Sequence, residues 1–109
     1  MEKSFLVYGK VQGVMFRQTF IRALIKRNLQ GGATNNNDHD KTVSITISGS
    51  NDEIEKIIDQ LVSIKIINSW NATIQEIIPL EKTIEINKHE VTTENVDNIK
   101  WSSGVEFYI

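Results

Sequence analysis

Residues 9–17 read Gly-Lys-Val-Gln-Gly-Val-Met-Phe-Arg. Two glycines four apart, followed by an arginine, stand where an alternating apolar run gives way to a helical period. A loop between a strand and a helix start aims several unpaired backbone N–H groups in one direction. Together with the positive end of the helix dipole, those groups make an anion site. Gly9 and Gly13 let the chain curl tightly with no Cβ between backbone and ligand. Arg17, in the first helical turn, reaches back over the loop, and its planar fork suits a phosphate better than an ammonium does. On these residues alone, a tight turn with a surface arginine is the competing explanation. Two nucleotide sites are excluded: the Gly-Lys-Ser/Thr ending of a P-loop is absent, and the glycine spacing is not that of a dinucleotide fingerprint.

The elements that must position this loop are legible from period. Residues 4–11 alternate as a strand, with Phe5, Val7 and Val11 on one face. From Phe16 the period becomes helical through Phe20, Ala23, Leu24 and Arg27, and Leu29 then Gly31 close the segment. A short strand is predicted near 30–36, and a clear one over 42–49, with Val43, Ile45 and Ile47 inward and Thr42, Ser44, Thr46 and Ser48 outward. Ser50 and Glu53 form a capping box for a helix with Ile54, Ile57, Ile58, Leu61 and Val62 on its stripe. Residues 71–78, 83–87 and 105–109 each read as a strand. The order β-α-β-β-α-β predicts a two-layer α+β domain, with two helices on one face of a mainly antiparallel sheet and an expanded segment before the last strand.

The 109 residues suit one domain, 1–109. With no cysteine there is no disulfide framework, thiolate metal site or thiol nucleophile. The start lacks a signal peptide's apolar run, and no stretch approaches a membrane span, so a cytoplasmic protein is expected. Residues 1–30 hold six basic residues against one acidic, +5, whereas the remainder holds six against thirteen, −7. The positive first third suits a small anion or simply solvates a helix. A pI near 5.6 argues against nucleic acid.

The run Gly9-Lys10-Val11-Gln12-Gly13-Val14-Met15-Phe16-Arg17 closely resembles the acylphosphatase signature G-x-V-Q-G-V-x-F-R. Ala23, Leu29-Gln30-Gly31, Thr42-Val43, Ser48-Gly49 and Ala72-Thr73-Ile74 resemble further positions of that family. Asn35, four residues after Gly31, falls where the family has its second signature asparagine. The likeness is dense over residues 5–49 and loose afterwards.

The resemblance implies a ferredoxin-like fold and hydrolysis of the carboxyl-phosphate bond of acyl phosphates. It implies that backbone N–H groups of Val11, Gln12, Gly13, Val14, Met15 and Phe16, with the Arg17 guanidinium, hold the phosphoryl group. It further implies that Asn35 orients the attacking water, that no metal or organic cofactor takes part, and that the partner is a small acyl phosphate. A monomer that binds neither nucleic acid nor membrane is expected. The chemistry suits so sparse a set, because a mixed anhydride has a carboxylate leaving group and needs little acid help. On a strand Asn35 and Asn37 share a face while Asn36 points away, so Asn37 is the alternative to Asn35. A non-catalytic anion-binding or regulatory module of the same fold is the competing function.

Three departures from the family pattern stand out. Gly32-Ala33 replaces the usual aromatic after Gly31, the turn from Asn35 to Val43 is about two residues longer, and residues 79–102 are an expansion. Asp38-His39-Asp40 reads as a solvated loop tip rather than a metal site. His89 beside Glu90 has no ligand spacing, and Asn71-Ala72-Thr73 is a glycosylation sequon in letters only. Core or edge packing is expected for Trp70 and Trp101, and core packing for Phe16 and Phe20.

Overall fold

The computed structural model describes residues 1–37, 41–99 and 105–109. The first alternating run forms β1 (Glu2–Lys10), the helical period forms α1 (Phe16–Lys26), and β2 (Gln30–Asn35) and β3 (Thr42–Ser48) follow. Then come α2 (Asn51–Ser63), β4 (Thr73–Pro79) and a short β5 (Val91–Thr92). The strands make one sheet in the order β4-β1-β3-β2-β5, with every pairing antiparallel among the described residues. Two helices on this sheet give the expected α+β, ferredoxin-like architecture.

Register decides which residues meet the helices. Phe5 pairs with Ile45 and Val7 with Val43, while Ala33 and Asn35 face the same two β3 residues from the other side. These odd-numbered positions share the helix-facing side of the sheet. Phe5, Val7, Val43, Ile45 and Ile47 are buried there against Phe16, Phe20 and Leu24 of α1 and Ile54, Ile57 and Leu61 of α2. The Phe16 and Phe20 rings stack at 6.0 Å, a core pair as expected. Val62, placed on the α2 stripe from sequence, is exposed, because it lies about 100° round the helix from Leu61.

The opposite side of the sheet departs from expectation. Thr42, Ser44 and Thr46, predicted to face outward, are buried. Residues 80–92 cross that face and satisfy its hydroxyls. Ser4 Oγ accepts from Ile84 N at 2.8 Å, and Thr46 Oγ1 donates to Ile84 O at 2.8 Å. Asn36 completes the cover by donating to Thr42 Oγ1 and accepting from Ser44 Oγ, each at 3.0 Å. Residues 83–87 therefore form no strand. The backbone N–H and C=O of Ile84 bond hydroxyls of the sheet face rather than a sheet edge, and a 3-10 turn follows at Ile86–Lys88.

The last strand differs too. The free edge of β2 is taken by Val91–Thr92, through pairs with Ala33 and Gly32. The described C-terminal residues instead make a single bridge, Phe107 to Asn68, beside the connection after α2.

Candidate functional site

The two helices begin in opposite ways. Ser50 Oγ accepts from Glu53 N at 3.1 Å and Glu53 Oε1 accepts from Ser50 N at 2.9 Å, so the α2 start is closed by its own capping box. The Ser50 backbone N–H, and after it the Ser50 hydroxyl, hold the Glu53 carboxyl below its ordinary pKa. In α1 the N-cap is Met15, which makes no side-chain cap bond, and the first turn holds no acidic residue. The positive end of α1 is thus not offset by side chains of its own.

The loop before α1 is bent to present that end. Gly13 has φ +75 and Met15 φ +59, left-handed conformations close together that turn successive N–H groups to one side. Three tethers fix the bend. Gln12 Nε2 donates to Thr42 O at 2.8 Å, Thr19 Oγ1 donates to Met15 O at 2.7 Å, and Asn68 Nδ2 donates to Val14 O at 2.8 Å. Asn68 is wholly buried, and its Oδ1 accepts from the N–H groups of Trp70 and Ala72.

A cavity of about 330 Å³ opens in front of this loop. Val11, Gly13, Met15, Phe16 and Arg17 line one side, and Asn35, at the end of β2, lines another. The Oδ1 of Asn35 is buried and has no hydrogen-bond partner among the described residues. A carbonyl oxygen so placed has unused acceptor capacity. Asn36 is committed to Thr42 and Ser44, and Asn37 is exposed and not part of the cavity wall. Gln12 and Val14 lie beside the cavity without lining it, held by the tethers above. Asp38, His39 and Asp40 lie outside the described residues, as does Trp101. Among the described residues no cluster of His, Cys, Asp or Glu could hold a metal.

The remaining wall comes from residues that sequence reasoning had not joined to the site: Gln18, Trp70, Glu90, Val91 and Ile99. Trp70 is 41% exposed at the rim, where core or edge packing was expected. The connection after α2 projects it over the cavity instead of into the core. With Val91 and Ile99 it adds apolar side chains to the cavity wall. Glu90 is the one acidic group of the wall among the described residues. Its Oε1 accepts from Arg17 Nη1 at 3.0 Å and from Asn35 N at 2.9 Å. The two side chains are 34% and 49% exposed, so the ion pair contributes about 1 kcal/mol or less to stability.

Glu90 is presented by a buried neighbour. His89 lies over Gly32, where a Cβ would come within 2.6 Å of the His89 Cβ. The ring therefore takes the space that an aromatic at position 32 would need. Its Nδ1 is 2.9 Å from Thr34 Oγ1 and its Nε2 is 2.7 Å from Thr46 Oγ1. Thr46 gives its only proton to Ile84 O, so Nε2 carries the ring hydrogen and Nδ1 accepts from Thr34. Thr34 Oγ1 then accepts from Glu90 N at 3.0 Å. Burial pushes the His89 pKa below its ordinary value, in keeping with a neutral ring.

Comparison with known proteins fits this geometry to a lineage. The family model described as Acylphosphatase matches residues 3–103. The crystal structure of acylphosphatase from Bacillus subtilis is similar in fold, with a TM-score of 0.58 and 22% sequence identity over 77% of this chain and 88% of that one. No match was found among curated proteins. With the signature loop, the strand order and the family match over nearly its whole length in agreement, the chain belongs to the acylphosphatase family.

Proposed function

We propose that the protein hydrolyses the carboxyl-phosphate bond of acyl phosphates, releasing a carboxylate and inorganic phosphate. The observation that carries this reading is the meeting of three groups around one cavity. They are the uncapped start of α1, the Arg17 guanidinium, and the buried Asn35 Oδ1 without a partner.

In this mechanism the N–H groups of the loop from Val11 to Phe16 and the Arg17 fork hold the phosphoryl oxygens. They stabilise the charge that builds there as the P–O bond to the acyl group breaks. Asn35 Oδ1 accepts a hydrogen bond from a water and sets its oxygen in line with the leaving group. The carboxylate departs without a proton, so no general acid is required. The apolar side chains of Trp70, Val91 and Ile99 suit the acyl part, and the polar loop suits the phosphoryl part. No residue in this scheme calls for a metal or an organic cofactor.

One observation favours a second reading, a non-catalytic anion-binding module: an acidic side chain, Glu90, already sits on Arg17. Phosphate release from a generic acyl phosphate, without added metal, separates the two. Turnover by the wild-type chain, lost by a factor of about 100 or more in a folded Arg17→Ala variant, supports the hydrolase. Phosphate binding with no turnover supports the module.

A further inference from the structure

Glu90 Oε1 accepts from the Arg17 guanidinium and from the backbone N–H of Asn35 at 3.0 and 2.9 Å. To these donors a carboxylate oxygen and a phosphoryl oxygen are chemically alike: each is anionic and accepts charge-assisted bonds at such distances. We propose that Glu90 is an internal ligand of the anion site, a tethered carboxylate that stands in for one phosphoryl oxygen on Arg17 and sets the site's affinity for phosphate. The inference rests on reading the cavity as the phosphoryl site.

The way Glu90 is held supports this role. Its backbone is fixed independently of its carboxylate: Glu90 N donates to Thr34 Oγ1 at 3.0 Å, Asn95 Nδ2 donates to Glu90 O at 3.1 Å, and Val91 next to it pairs with Ala33. The side chain is half exposed and can leave Arg17 while the main chain stays in place. An anion entering the cavity must displace it and then bear its charge nearby. Because the carboxylate is tethered, it returns to Arg17 at a high effective concentration once the anion goes. Glu90 therefore weakens the hold on every phosphoryl ligand, the product phosphate included, and hastens product departure.

Titration calorimetry of the full chain with inorganic phosphate, at fixed pH and ionic strength, tests the proposal. Glu90→Gln keeps the size and an acceptor oxygen but removes the charge, and Glu90→Ala removes the group. Both are expected to bind phosphate about tenfold tighter or more, and adding Arg17→Ala to either should abolish the gain. If both Glu90 variants, folded by circular dichroism, bind phosphate no tighter than wild type while Arg17→Ala still loses it, the proposal is wrong and Glu90 only positions Arg17. If Arg17→Ala alone leaves phosphate binding unchanged, the phosphoryl reading of the cavity fails, and the inference with it.

Discussion

Asn68 holds the carbonyl of Val14 at 2.8 Å across 54 residues of sequence. In a trans peptide the C=O and the following N–H point opposite ways. Drawing the Val14 oxygen into the core therefore turns the Met15 N–H outward, on the side where Met15 lines the cavity. The same amide donates to Thr19 Oγ1 at 2.9 Å, so one buried side chain ties the loop, the first turn of α1 and the start of the β4 segment together.

Asn68→Ala leaves the Val14 carbonyl and the Trp70 and Ala72 N–H groups without partners. A loss of about 3 kcal/mol in unfolding free energy is expected, read from urea denaturation. Asn68→Asp keeps acceptors for Trp70 and Ala72 but loses the donor to Val14. Phosphate binding weaker than wild type in the folded Asp variant would show that the tether shapes the loop, and unchanged binding would refute it.

For Asn35, the expected signature is a split between binding and rate. Asn35→Ala should lower turnover of an acyl phosphate by about 100-fold or more while phosphate still binds, since only the water loses its acceptor. Asn37→Ala, altered outside the cavity, should turn over as wild type does. The reverse pattern would move the water-orienting role to Asn37.

Stability should fall on acidification through His89. Its folded-state pKa is depressed by burial, so the folded state favours the neutral ring. The unfolded chain takes up a proton near the ordinary value of about 6.5. The contribution of the neutral ring is therefore complete above that pH and is lost as pH drops towards the folded value. Melting temperature measured from pH 8 to 5 should decline more steeply in wild type than in His89→Gln. Equal slopes would exclude His89 as the source.

Gly32 and His89 should be coupled. Gly32→Ala forces a Cβ against the imidazole and is expected to cost about 2 kcal/mol. In a His89→Gly background the Cβ and the ring that obstruct it are both gone, and most of that cost should vanish. A double-mutant cycle on denaturation free energies measures the coupling, and strict additivity would mean the two sites do not share space.

The helix-facing half of the molecule was legible because local rules and tertiary structure agree there. The alternation of Phe5, Val7, Val43, Ile45 and Ile47 marks one buried face, and Ser50 with Glu53 marks the α2 start. The loop from Gly9 to Arg17 and Asn35 were legible through family likeness, because the residues are near each other in sequence. The other half was not. Thr42, Ser44 and Thr46 alternate as a solvated face does, and nothing local says that hydroxyls are being kept for a covering segment. Glu90 reaches Arg17 across 73 residues, from a stretch whose own pattern names no partner. Gly32 looked like a loss of bulk, and only the position of His89 shows where the bulk went.

The cover formed by residues 80–92 also bears on the order in which the molecule is made. During synthesis the amino-terminal part leaves the ribosome first, and distant pairings close late. The loop, Arg17, Asn35 and the β2–β3 hairpin all precede residue 50, while Ile84, His89 and Glu90 come from the final third. Until that third docks on Ser4 and Thr46, Glu90 is not held beside Arg17 and Ile84 does not cover the hydroxyls of the sheet face. A chain cut short before residue 80 would therefore carry the loop, Arg17 and Asn35 without the Glu90 carboxylate.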